Sequence, residues 1–156
     1  MSAAYSASSI AAARKRLVYG PSDVLFQHIE EQQKKAGKPF GSVLDAGTGL
    51  HSLRWIATLC GLDGCNDKGM TDFTAVTADE SMKRKCQREV DELGIAHLGR
   101  IVICNWMDEN VSLKLVDKDE DTGETKLYDT ILADYLIGAM DGFSPYAQDQ
   151  MIDKLA

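Results

Sequence analysis

Asp45-Ala46-Gly47-Thr48-Gly49 is the stretch whose residue types and spacing suit chemistry. Val43 and Leu44 end an apolar run and Asp45 closes it, so the acid stands where a buried strand stops. Gly47 and Gly49 carry no side chains and let a bound group approach the main chain closely. Beyond them, Leu50, Leu53, Ile56, Ala57 and Cys60 fall at helical spacing. The start of that helix points unpaired N–H groups and a partial positive charge at whatever lies over the turn.

Two nucleotide-site patterns compete for this stretch. A dinucleotide fingerprint needs G-x-G-x-x-G, and Ser52 occupies its third glycine position. The other pattern is D-x-G-x-G, with the acid at the strand end. That pattern resembles motif I of the class I S-adenosylmethionine-dependent methyltransferases. Asp45, Gly47 and Gly49 match it, while His51 stands where many members carry another glycine. The resemblance implies that the turn Asp45, Ala46, Gly47, Thr48 and Gly49 passes under S-adenosyl-L-methionine, with its acidic side toward the amino-acid part. A carboxylate near an ammonium there would form a charge-assisted hydrogen bond.

The resemblance extends to the other strand ends. An acid after the second strand usually meets the ribose hydroxyls, because it accepts from both. Thr77 stands in that place, with Asp79 and Glu80 just beyond. Either Asp79 reaches back, or Thr77 makes a weaker contact, or ribose recognition is degraded; Asp79 and Glu80 equally suit a helix N-terminus. After the third strand, Asn105 and Trp106 match the loop that lies along the adenine, though Trp106 also suits a cap on the core. After the fourth, Asp134 is the catalytic candidate, as a residue that positions the acceptor or touches the methionine end of the cofactor. Tyr135, Phe143 and Tyr146 are candidates for the acceptor pocket, with core packing as the alternative. Methyl transfer needs aligned reactants more than a general base. The Asn/Asp-Pro-Pro-Tyr-type signature of amino-methylating enzymes is absent, which leaves the acceptor open.

Composition sets outer bounds. The chain has 156 residues, 44% hydrophobic and 26% charged, with a net charge of −7, enough for one domain with a real core. Arg14, Lys15, Arg16, Lys34, Lys35, Lys38 and Arg54 make the first third basic. Asp117, Asp119, Glu120, Asp121 and Glu124 form a later acidic patch. An acidic body argues against a large nucleic-acid footprint, so a small-molecule acceptor is favoured. No apolar run is long enough to span a membrane. Cys60, Cys65, Cys86 and Cys104 form no C-x-x-C and no zinc-type pairing with histidine, so no metal is expected. Cys60 and Cys104 sit in apolar runs as free thiols, which suits an intracellular, preferentially cytoplasmic protein.

Residues 1–17 form a Ser/Ala-rich leader without acids. It reads as a frayed lead-in to a helix or, alternatively, as the end of an organelle transit peptide. The domain spans 18–156. Pro21-Ser22-Asp23 starts a helix with Val24, Leu25, His28 and Ile29 on one face, ending near Gly37. A loop over Gly61–Gly69 precedes a strand at Asp72–Thr77. A helix follows with Met82, Cys86, Val90 and Leu93 at its apolar positions, stopped by Gly94. Arg100–Cys104 and Leu127–Ala133 are further strands, separated by a polar excursion over Val111–Glu124. A final helix runs from Pro145, with Ala147, Met151, Ile152 and Leu155 apolar.

Strands alternating with helices specify an α/β fold, a Rossmann-like three-layer sandwich with a mostly parallel sheet, truncated after the fourth strand. The resemblance implies three further strands. It therefore leaves an apolar edge at Leu127, Ile131 and Leu132, expected to meet a second copy or a partner chain unless the chain is a truncated form. The functional expectation is an S-adenosylmethionine-dependent methyltransferase. A non-catalytic binding or interaction module and an NAD-dependent oxidoreductase are the alternatives.

Overall fold

The computed structural model describes residues 21–59, 68–108, 127–134, 136–143 and 145–155. Four strands, β1 (Gly41–Asp45), β2 (Met70–Thr77), β3 (Gly99–Ile103) and β4 (Thr130–Leu132), form one sheet in the order β3-β2-β1-β4. Every described pairing is parallel. The helices are α1 (Pro21–Ala36), α2 (Leu50–Leu59), α3 (Glu80–Leu93), α4 (Leu136–Phe143) and α5 (Met151–Leu155). A 3-10 turn at Gln148–Gln150 leads into α5.

β1 and the carboxyl half of β2 are buried on both faces, which is why they read as apolar runs rather than alternating ones. Successive side chains point to opposite faces. Val43, Phe73, Ala75, Ile101 and Leu132 join a core with Phe26, Leu53, Trp55, Ile56, Cys86, Val90 and Leu93 from α1, α2 and α3. Leu44 and Val76 point the other way, into a second core with Trp106, Leu136, Met140 and Met151. Helices therefore lie on both faces, and the architecture is a Rossmann-like α/β sandwich.

From β1 the chain moves outward to β2 and β3, then returns to β4 on the other side of β1. Strand order reverses between β1 and β4, and ligands of open parallel sheets bind beyond the carboxyl ends at such a point.

Several elements differ from the sequence reading. In α1, Val24 and Leu25 are 66% and 44% exposed, while Phe26 is buried. The helix is turned by an aromatic stack: the Phe26 ring lies 4.7 Å from Trp55 at 6° and 5.7 Å from His51 at 27°. Glu30 on the same side accepts a 3.0 Å hydrogen bond from Trp55 Nε1. β2 starts at Met70, two residues before the expected Asp72, and β3 is shifted one residue earlier.

β4 is shorter than expected, because Asp129 replaces part of the ladder with its side chain. Its Oδ2 accepts from the Ser42 amide at 2.9 Å and the Ser42 hydroxyl at 3.1 Å. Gly41, at φ +60°, makes room, since a Cβ there would collide with that carboxylate. Of the expected exposed edge, Leu127 (79%) and Ile131 (41%) are exposed, but Leu132 is buried in the core.

The expected leader, the 111–124 excursion, most of the Gly61–Gly69 loop, Cys60 and Cys65 lie outside the described residues. Among the described residues no helix is long and apolar enough to cross a membrane.

Candidate functional site

A cavity of about 390 Å³ opens at the carboxyl ends of β1, β2 and β3. The turn after β1 contributes Ala46, Gly47 and Thr48. The end of β2 contributes Val76, Thr77, Ala78 and Asp79, and the first turn of α3 adds Ser81 and Met82. The end of β3 contributes Cys104, Asn105 and Trp106, and α4 closes the space with Leu136 and Met140. This volume falls within the roughly 300–1,000 Å³ of typical small-ligand pockets, and a largely apolar wall with few polar groups is usual for them.

The backbone around the turn is pinned by hydrogen bonds that continue the sheet. Ala46 N–H donates to Leu132 O at 2.8 Å, Thr48 N–H to Val76 O at 2.8 Å, and Cys104 N–H to Thr77 O at 2.9 Å. Trp106 Nε1 donates to Ala46 O at 2.7 Å, so the indole is fixed with one polar atom satisfied and its ring on the cavity wall. Trp106 thus both lines the cavity and belongs to the second core. A Cβ on Gly47 would meet Leu136 at 3.4 Å and the Asp134 carbonyl at 3.5 Å, ordinary contact distances, so the turn lies against the start of α4 and the residue after β4.

Asp45 lies beneath this floor with no exposed surface. Its Oδ2 accepts a 2.5 Å hydrogen bond from Ser52 Oγ in the first turn of α2. Among the described residues no donor bonds its Oδ1. Burial pushes the Asp45 carboxyl up to about 6, opposed by Ser52, Thr48 and the Gly47 backbone, and the nearby Asp134 carboxylate adds to the rise. A buried acceptor without a donor is costly, and such groups mark strain, missing ligands or catalysis.

Asp79 is the opposite case. It is the N-cap of α3 and exposed, and its Oδ1 accepts from Met82 N–H at 2.8 Å. Hydrogen bonds from Ser81 and from the Met82 backbone hold its carboxyl below the usual range. Thr77 Oγ1 accepts from Asp79 N–H at 3.4 Å. The helix-start reading of Asp79 and its place on the cavity rim are therefore both realised. Asn105 Oδ1 accepts from Met107 N–H at 3.0 Å, which fixes the side chain at the exposed mouth.

Of the residues expected at a cofactor, Ala46, Gly47, Thr48, Thr77, Asp79, Asn105 and Trp106 share the cavity wall. Asp45 sits behind the wall, and Gly49 does not line the cavity; its amide donates to Ser52 Oγ at 3.2 Å. Asp134 is half-buried in the turn after β4, and its carboxylate acts on Asp45. Tyr146 is 95% exposed at φ +69° and does not line the cavity. Tyr135 and the side chain of Phe143 lie outside the described residues.

Sequence reasoning missed Ser52, Met82, Cys104, Leu136 and Met140 as site residues. Their signal was position: Cys104 directly follows β3, Met82 is in the first turn of α3, and Leu136 and Met140 are four apart on α4. Ser52 had registered only as a missing glycine.

Among the described residues no cluster of three or more His, Cys, Asp or Glu could hold a metal ion. Comparison with models of known protein families, with curated proteins and with solved structures finds no match to this chain.

Proposed function

We propose that the cavity binds S-adenosyl-L-methionine and that the protein is an S-adenosylmethionine-dependent methyltransferase acting on a small-molecule acceptor. The observation that carries this reading is the pair of carboxylates, Asp45 and Asp134, beside the glycine turn, with Asp45 Oδ1 buried and lacking a donor. Two acids beside an apolar cavity favour a ligand that is cationic at that end and flat and apolar at the other. A sulfonium, an ammonium and an adenine in one molecule answer that description.

The same carboxylates argue against a dinucleotide. A pyrophosphate would seek the N-terminus of α2. That end already carries Asp45 through Ser52, so a phosphate there would face a buried negative charge. Asp45 and Asp134 would attract the cationic end, Trp106 would cover the adenine, and Asp79 or Thr77 would meet the ribose hydroxyls. When bound, the cofactor supplies an electrophilic methyl group. This chain's part is to orient it and exclude water, with Leu136 and Met140 as the apolar cover.

Calorimetric titration with S-adenosylhomocysteine, with NAD as control, tests the reading. Saturable binding of the first alone, weakened at least tenfold in Asp45→Ala with the fold intact, is the expected result. Binding of NAD alone would transfer the site to the oxidoreductase reading. Tyr146, turned to solvent, favours a second reading, a module that binds the cofactor without transferring its methyl group.

A further inference from the structure

The Ser52 hydroxyl stands at the junction of the buried acid and the glycine turn. It has one proton to give and two lone pairs. Around Ser52 Oγ lie Asp45 Oδ2 at 2.5 Å, the Gly49 carbonyl at 3.0 Å and Thr48 Oγ1 at 3.4 Å. The Gly49 N–H donates to it at 3.2 Å. One proton cannot serve both Asp45 and Gly49 O. With Asp45 ionised, the proton belongs to Oδ2. With Asp45 protonated, the acid donates to Ser52 Oγ, and the serine proton is free to turn to Gly49 O.

We propose that Ser52 is a positioning residue that couples the charge on Asp45 to the hydrogen bonding of the Gly47–Gly49 turn. A cationic group bound over the turn favours the ionised acid, so its binding displaces the Asp45 proton to solvent. This second consequence rests on the proposed cofactor; the coupling itself does not.

The groups facing Asp45 set the direction. Ser52, Thr48 and the Gly47 backbone favour its anion, while Asp134, from the turn after β4, favours its protonated form. From α3 comes the Cys86 thiol, which burial, with Asp45 and Glu89 adding, pushes up to about 11, so it stays neutral in the range concerned. Glu89 behind it is bridged to Arg54 at 2.6 Å. Of these groups, Asp45 is the one whose carboxyl is raised into the mildly acidic range.

The test follows the Gly49 amide by NMR from pH 4.5 to 8 in the whole chain without ligand. Wild type, Ser52→Ala, Ser52→Thr and Asp45→Asn are compared, and S-adenosylhomocysteine affinity is then measured at pH 5 and 7.5. The Gly49 resonance should titrate near pH 6 in wild type and stay still in Asp45→Asn. In Ser52→Ala the pH-dependent shift of Gly49 should collapse, because the hydroxyl that joins Asp45 to the Gly49 amide and carbonyl is gone, and Ser52→Thr should restore it. Affinity should be about tenfold weaker at pH 5 than at pH 7.5, with no such difference in Asp45→Asn.

A Gly49 titration that persists undiminished in Ser52→Ala, or a Gly49 amide indifferent to pH in wild type, overturns the positioning role whatever the ligand does. Equal affinity at both pH values overturns the proton displacement. A titrating Gly49 that responds to these substitutions as expected, with no S-adenosylhomocysteine bound at either pH, upholds the coupling and removes the cofactor reading instead.

Discussion

The ends of β1 and β2 each carry an aspartate, one behind the cavity wall and one on its rim, and treat it in opposite ways. Asp45, after β1, is fully buried, has one oxygen without a donor and holds its proton to about 6. Asp79, after β2, is exposed, caps α3 and is held ionised by Ser81 and the Met82 backbone. Environments that drive two carboxyls apart are a mark of functional sites. What separates them here is the next element: α2 starts deep in the packed core, whereas α3 starts at the rim.

The largest test of that contrast strikes the residue that seals the β1 end. Trp106→Ala removes a buried ring and opens a space beside Ala46 in the second core, and should destabilise the protein by about 3–5 kcal/mol in urea unfolding. Trp106→Phe keeps most of the packing but leaves the Ala46 carbonyl unpaired, so about 1–3 kcal/mol is expected. If Trp106→Phe matched wild type in stability, the indole bond would have no part in holding the turn.

Next in size is the acid itself. The folded Asp45 carboxyl, at about 6, lies above its ordinary 3.8, so the folded state binds more protons between those values. Its contribution is fully present below pH 3.8 and is lost as pH rises through 6, the reverse of a salt-bridged aspartate. The difference amounts to about 3 kcal/mol. Asp45→Asn, which has no charge to bury, should therefore gain on wild type by roughly that amount between pH 4 and pH 8. A gap between the two proteins that stays constant with pH would mean that Asp45 is not held protonated by its surroundings.

Much of the frame could be read in the chain because it rests on local patterns. The apolar runs ending at Asp45, Thr77 and Cys104 and the glycines at 47 and 94 place strand ends to within a residue, the turn and the helix stop. The environments could not be read, because distant residues make them. Phe26 stacks on Trp55 across elements, and that contact, rather than the spacing of Val24, Leu25, His28 and Ile29, sets the face of α1. Ser52 looked like a failed glycine, and only the fold brings its hydroxyl onto Asp45. The span of β4 was misjudged because Asp129, through its side chain, does what a longer strand would do with its backbone.

The smallest effect belongs to Asp79, and it separates the cap from the ligand contact. Asparagine is as good an N-cap as aspartate, whereas alanine is not. Asp79→Ala should lower the melting temperature modestly, and Asp79→Asn should leave it near wild type at neutral pH. The carboxyl is held below its usual value, so its contribution is present at neutral pH and is lost as pH falls through the folded value. In both variants S-adenosylhomocysteine should bind more weakly if the Asp79 carboxylate meets the ribose, since an amide accepts less strongly than a charged oxygen. Wild-type affinity in Asp79→Asn would confine the residue to its cap and leave the ribose to Thr77. The β2 end would then serve the site only through its backbone and a hydroxyl, and Asp45, behind the cavity wall, would be the one aspartate of the two to act on a ligand, through its charge alone.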